Sequence, residues 1–196
     1  MSFVSSNLRE RKKHETRQGL MYAALGLFTD HGFDNVTVDQ IAAKANVSTR
    51  TFFRYFPTKA DACFGIAAIA LEEVINSRDV LGTTERQIRG YAARVVADPE
   101  FYGTQSRLAL EHPQVRVRRL EVLLAFDDAL AAGFMREQPG LDPVIARLAA
   151  YLPTHLLPAT MENWVISGAP PEGPDWEPGL AKMRRAVELL LGRNVS

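Results

Sequence analysis

The sequence predicts an all-α protein: an N-terminal three-helix domain carrying a helix-turn-helix, then a C-terminal helical bundle. Three observations predict it. Beyond Asp79 no run alternates apolar and polar residues with the β-branched enrichment that a half-buried strand requires. The breaks between helical stretches are written in turn chemistry, at Asp98-Pro99, His112-Pro113, Pro139-Gly140 and Ala169–Pro174. The stretch Thr37–Lys59, TVDQIAAKANVSTRTFFRYFPTK, holds two helix starts with a tight turn between them.

Each element follows from its residues. Residues 1–8 are expected to be disordered, and Arg9–Lys13 forms a basic arm leading into the first helix. Two readings fit that arm: phosphate or minor-groove contact, or a solvated helix start. The helix continues to about His31, with Leu20, Ala24, Leu27 and Phe28 on one face, and Gly32-Phe33 is a C-terminal cap with its hydrophobic contact. Thr37 is an N-cap with Gln40 three residues later, a capping box that starts helix Val38–Ala45. Asn46, which tolerates a left-handed conformation, makes the turn. Ser48 then caps Thr49–Tyr55, where Phe52, Phe53 and Phe56 are assigned to packing and Thr49, Arg50, Thr51 and Arg54 to the outside.

That outer face carries the functional argument. A helix of about two turns is unstable alone and must be held by its neighbours. At its N-terminal end it offers two methyl-bearing hydroxyls around a guanidinium. Arginine forks onto guanine, and threonine touches thymine methyl or phosphate, in the major groove. The positive end of the helix dipole favours phosphate at the same place.

Thr58, with Asp61 three residues on, caps a helix expected to run to Ser77 or Arg78 through Phe64, Ile66, Ile69, Ala70, Leu71 and Val74. Further helices are expected at Thr84–Ala97, Pro99–Glu111, Val115–Gln138, Pro143–Ser167 and Pro178–Leu191. Pro153 and Pro158 fall inside the fourth of these and each removes a backbone hydrogen bond, so a kink or break is expected there. A cavity wall or a plain bend would both account for it. Ala169–Pro178, with four prolines, reads as a loop.

From Arg17 to Lys59 the sequence resembles the DNA-binding domain of the tetracycline-repressor (TetR/AcrR) family. The matching residues are Ala23-Ala24, Leu27-Phe28, Gly32-Phe33, Thr37-Val38, Ile41-Ala42, Ala45-Asn46-Val47-Ser48, Phe52-Phe53-Arg54-Tyr55-Phe56 and Lys59. Asn46 stands where the family commonly has glycine. Phe53 stands where it often has tyrosine, so no hydroxyl contact carries over. The segment Leu108–Ala131 resembles a subgroup whose ligand domain has been likened to an acyl-CoA-binding shape. The resemblance implies a domain division at 9–56 and 57–196, the second part serving ligand binding and dimerisation.

Composition sets outer limits. Of 196 residues, 46% are hydrophobic and 23% charged, ordinary for a globular chain. The net charge is zero, but residues 1–59 hold nine Lys and Arg against five acids, net +4, which leaves the remainder at −4. A basic head on an acidic body suits a head that meets phosphate. The single cysteine, Cys63, excludes an internal disulfide and fits a reducing cytoplasm. No signal-peptide pattern or membrane-length apolar run is found.

The expected function is therefore a DNA-binding transcriptional regulator, a repressor released by a small-molecule effector. A helical ligand-binding or protein-interaction module without operator recognition is the alternative. Arg50 and Thr51 are expected on bases and Thr49 on base or phosphate. Thr37, Ser48, Arg54, Tyr55 and Lys59, with Lys13 and Arg17, are expected on the DNA backbone. Tyr91, Phe101, Tyr102, Arg107, Phe126 and Leu156 are candidates for the effector site. By the resemblance, Leu152, Met161, Trp164, Met183, Val187 and Leu190 are candidates for a homodimer interface. No cofactor or metal is expected: His14, His31, His112 and His155 are scattered, and no HExxH, GxSxG or phosphate-cradling loop occurs. Adjacent Asp127 and Asp128 diverge by about 100° on a helix and cannot share a proton.

Overall fold

A computed structural model describes residues 2–168 and 176–193, with side chains at all of these except 2–7, 10, 157, 158, 162 and 166. Of the loop expected over Ala169–Pro178, residues 169–175 lie outside them, and Glu177 and Pro178 instead open a helix. Ten helices are found among the described residues, and no strand. They are α1 (Ser2–His31), α2 (Val38–Lys44), α3 (Thr49–Tyr55), α4 (Lys59–Ala62), α5 (Ala67–Asn76), α6 (Val80–Ala97), α7 (Pro99–Glu111), α8 (Pro113–Glu137), α9 (Pro143–Ile166) and α10 (Glu177–Leu190). α1 thus begins at Ser2, ahead of the expected start at Arg9, since no proline or glycine interrupts residues 2–8.

The chain divides into two compact units. The first comprises residues 1–69 and 107–119, the second 70–106 and 120–196. Residues 57–69 and the α7–α8 corner therefore belong with the helix-turn-helix, although the sequence places them in the second domain.

In the first unit α1 packs on α2 and α4, and α2 on α3. Leu20, Met21, Ala24, Leu25, Phe28, Phe33, Ile41, Phe52, Phe56 and Cys63 are buried, joined by Leu108, Ala109 and Val115 from the corner. The long helix expected from Thr58 to Arg78 is two helices. Between them the amides of Cys63, Phe64, Ala67 and Ile69 donate to carbonyls three residues back, the tighter pitch of a 3₁₀ turn. Gly65 sits in this turn, and a Cβ there would lie 3.1 Å from Met21 Cβ and 3.1 Å from the tip of the Phe56 ring. A side chain there would need these neighbours to give by a few tenths of an ångström, and glycine weakens a continuous helix.

In the second unit α9 packs on α10 and α6. One core cluster contains Val80, Leu81, Leu130, Phe134, Ala146, Ala149, Leu180, Met183 and Val187. A smaller one contains Ala92, Val95, Tyr102 and Met161, with Tyr91, Phe101, Trp164, Val165 and Trp176 packed against it. α9 continues through both prolines. Pro153 leaves the Ala149 carbonyl without its amide donor. Thr154 Oγ1 lies 3.2 Å from the carbonyls of Ala150 and Tyr151 and also donates to the buried Asp127 carboxylate.

Candidate nucleic-acid interface

The helix-turn-helix is built from capping geometry. Thr37 accepts from the Gln40 amide, and the Gln40 side chain accepts from the Thr37 N–H at 2.8 Å. α2 ends in a Schellman pair. The Val47 N–H donates to the Ala42 carbonyl at 2.9 Å and the Asn46 N–H to the Ala43 carbonyl at 3.0 Å. Asn46 takes φ 54°, the left-handed conformation this motif needs. Ser48 Oγ then accepts from the Thr51 amide at 3.1 Å and pairs with Thr51 Oγ1 at 2.9 Å, which starts α3. Phe52, fully buried, and Phe56, 2% exposed, anchor α3.

The face that α3 turns outward differs from the expected one in two ways. Phe53 is 53% exposed, edge-on to Phe52 with ring centroids 5.6 Å apart. The sequence reading placed it in the core because it sits among three aromatics. On a helix, however, residue 53 lies a turn beyond 49 and 50, beside Arg54, while 52 and 56 share the buried side. The hydroxyls are also committed: Thr49 Oγ1 donates to Asp39 Oδ1 at 2.5 Å, and that of Thr51 pairs with Ser48. Arg50 is exposed and has no side-chain partner among the described residues. The outward surface is thus Arg50, Phe53 and Arg54, with Thr49 at its edge. The guanidinium of Arg54 lies 5.2 Å from the Tyr55 ring centre.

Two of the expected phosphate contacts are used internally. Lys59 Nζ donates to the carbonyls of Phe33 at 2.7 Å, Val36 at 3.0 Å and Asp34 at 3.4 Å, and it lies 4.5 Å from the Phe33 ring centre. An ammonium has three donors, so Lys59 is a clamp on the loop before α2 and not a free cation at a helix start. The Arg17 guanidinium covers the end of α3, 5.1 Å from the Phe56 ring centre and 5.8 Å from that of Tyr55. Lys13 is exposed on α1.

The α7–α8 corner supports the same head. Arg118 Nε lies 2.7 Å from Asp61 Oδ1. The same carboxylate accepts from the Thr58 N–H at 2.8 Å and completes the capping box of α4. His112 packs on Phe33, with centroids 4.7 Å apart, and lies 3.8 Å from the Asp34 carboxylate. No motif in the sequence announces this contact, since more than fifty residues separate the partners. Burial pushes the Cys63 thiol up to about 12, which makes it an inert core residue.

In the second unit the six effector candidates separate. Tyr91, Phe101 and Tyr102 gather, Tyr102 meeting Tyr91 and Phe101 edge-on at 5.6 and 5.3 Å. Phe126 packs against the larger cluster, Leu156 is 51% exposed, and Arg107 is an exposed residue of the first unit. Beside the gathered rings, Arg94 Nε and Trp164 Nε1 are buried with no hydrogen-bond partner among the described residues. Each such group costs about 1–3 kcal/mol if left unmade. The interface candidates fare differently from expectation. Met161, Met183 and Val187 are at most 3% exposed and belong to the chain's own core. Leu152 and Leu190 pack on one cluster and Trp164 on the other. A stripe that the sequence reading missed, Val144, Leu148 and Tyr151 on α9, is 66%, 50% and 52% exposed.

Among the described residues no helix is long and apolar enough to cross a membrane, and no group of three or more His, Cys, Asp or Glu is placed to hold a metal ion. A capped helix-turn-helix with an arginine-bearing outward face, on a chain that continues into a helical body, defines the class: an all-helical helix-turn-helix protein. Residues 20–61 match the family model for bacterial regulatory proteins, tetR family. The chain is 33% identical over 150 residues to the HTH-type transcriptional regulator TcmR of Streptomyces glaucescens, a match covering 73% of this chain and 62% of that protein. Its fold resembles that of Salmonella enterica GusR, with a TM-score of 0.53 and 18% identity over 91% of this chain and 96% of that one. Residues 20–61 thus carry a tetR-type helix-turn-helix, and the chain spans less than two thirds of the length of TcmR.

Proposed function

We propose that this protein is a sequence-specific DNA-binding transcriptional regulator of the cytoplasm, a repressor that releases its operator when a small molecule occupies its helical body. The observation that carries the reading is the outward face of α3. Arg50, Phe53 and Arg54 are exposed on a helix too short to exist for its own sake, held by two caps and two buried phenylalanines. Arg50 reads a base edge, the apolar Phe53 ring meets thymine methyl or sugar, and Arg54, Tyr55 and Lys13 hold phosphate. Thr37, Ser48, Thr49 and Thr51 position the helix, with hydroxyl oxygens still able to accept from a base amine. The DNA-contacting part is proposed to begin near residue 9, and effector binding and dimerisation to lie beyond residue 56. TcmR, named a transcriptional regulator, supports the reading.

Two copies are proposed to pair through α9 and α10, with Val144, Leu148 and Tyr151 as the seam and Leu189, 62% exposed on α10, beside it. Positions 144, 148 and 151 share one helix face. Pairing would present two α3 helices to successive major grooves of a palindromic operator.

The test is fluorescence anisotropy on DNA from upstream of the protein's own gene, against scrambled DNA, over a salt series. Specific binding about a thousandfold tighter than non-specific is expected, with two subunits per site. Arg50→Ala should lose about 1–3 kcal/mol and relax preference at one base pair. Equal, weak binding to both DNAs would overturn operator recognition.

A further inference from the structure

We infer that the corner formed by Tyr91, Arg94, Tyr102, Met161, Trp164 and Trp176 binds the effector, and that the effector is a flat aromatic molecule bearing a carboxylate. This rests on the effector-responsive reading above and names the class of ligand.

The corner is defined by helical register. Tyr91, Arg94 and Val95 occupy positions i, i+3 and i+4 of α6 and share one face. Tyr91 and Val95 belong to the aromatic cluster, and Arg94 lies between them on that helix. Trp164 stands one turn after Met161, the buried centre of the same cluster. Both tryptophans of the chain lie here.

Two kinds of evidence define the ligand. The first is polar. Arg94 Nε and Trp164 Nε1 are buried without a partner among the described residues. Both are donor-only groups and cannot satisfy each other. Buried polar groups in native proteins are almost always paired, and an orphan calls for an explanation such as a missing ligand. The Asp98 carboxylate, four residues on from Arg94, accepts from the Phe101 amide, and Glu177 pairs with Arg89. A bound acceptor would satisfy both donors, and beside a guanidinium it is best anionic. The second is the wall. Its rings already meet edge to face, and Arg89 lies over Trp176 at 5.6 Å. A planar ring extends such packing. A saturated chain would not, an uncharged molecule would leave the arginine unneutralised, and a cation would be repelled by Arg94 and Arg89.

The experiment is isothermal titration calorimetry of the full chain with 2-naphthoate and anthracene-2-carboxylate. Decanoate and 2-naphthalenemethanol serve as controls for the ring and for the charge. At least one aromatic carboxylate should bind saturably at one per chain, at least tenfold tighter than either control. Arg94→Met and Trp164→Phe should each weaken it tenfold or more. Trp164→Phe keeps a ring in place, so it tests the N–H even if Arg94→Met unfolds. Absence of saturable binding, equal binding of decanoate, or unchanged affinity in Trp164→Phe would overturn the inference. Operator binding by the unmodified protein is measured alongside. Its presence with no carboxylate binding sinks this inference alone, whereas its absence sinks the regulator reading.

Discussion

At the scale of the residue, the chemistry of a side chain and the use made of it part company most clearly at Lys59. A lysine at a helix start facing DNA would ordinarily be counted as a phosphate contact. Here its three donors close on the carbonyls of Phe33, Asp34 and Val36. Lys59→Ala should therefore cost about 1.5–3 kcal/mol of folding free energy, as for hydrogen bonds to a charged group. It should leave the slope of log affinity against log salt unchanged. Thermal unfolding and a salt series together decide this: a flatter slope at unchanged stability would return the residue to the DNA backbone. Cys63 gives a second expectation. Its thiol is held protonated by burial, its pKa raised from 9.0 to about 12. Between those values the folded chain binds the proton that the unfolded chain has lost, so stability falls as pH rises from about 9 towards 12 and is unaffected by this group below 9. Native protein should react with a thiol reagent only after unfolding; rapid labelling at pH 8 would contradict the burial.

At the scale of the element, the head owes its completeness to a segment whose contacts lie more than fifty residues away in the chain. Asp61 serves the α4 cap and Arg118 at once, and His112 lies on the Phe33 ring that Lys59 also covers. Arg118→Ala removes a partly exposed ion pair, so the loss of global stability should be small, about 1 kcal/mol or less. Its signature is local: faster hydrogen exchange at α4 and weaker operator binding with sequence preference retained. Unaltered exchange at Lys59–Ala62 would show that the corner does not brace the head. The same scale shows why α4 and α5 are separate helices. The apolar periodicity of Phe64, Ile66 and Ile69 suggests one long helix, and periodicity carries no information about how closely Gly65 must approach Met21 and Phe56.

At the scale of the whole molecule, the question is which apolar residues a single chain buries and which it leaves exposed. Val187 has no exposure and Leu148 is half exposed, yet in sequence both are branched aliphatics on a C-terminal helix. Leu148→Glu should leave a folded monomer and weaken operator binding through loss of bivalency. Sedimentation velocity and circular dichroism check it, and an unchanged dimer would remove α9 from the seam. Val187→Glu should instead unfold the second unit by burying an unpaired charge.

By itself the sequence determined what depends on neighbours a few residues apart. The caps at Thr37, Ser48 and Thr58, the left-handed Asn46, the proline-marked ends of α7 and α9 and the outward-facing Arg50 are all local physics, carried by spacings of two to four residues. Only the tertiary structure decided what depends on distant surfaces meeting. It took Lys59 inward, turned Phe53 outward, split a helix at Gly65, joined Arg118 to Asp61 and sorted the aliphatics of α9 and α10 into buried and exposed. Hydrophobic periodicity states that a face will be covered, and it does not state by what. That depends on which surfaces come together when the chain closes on itself.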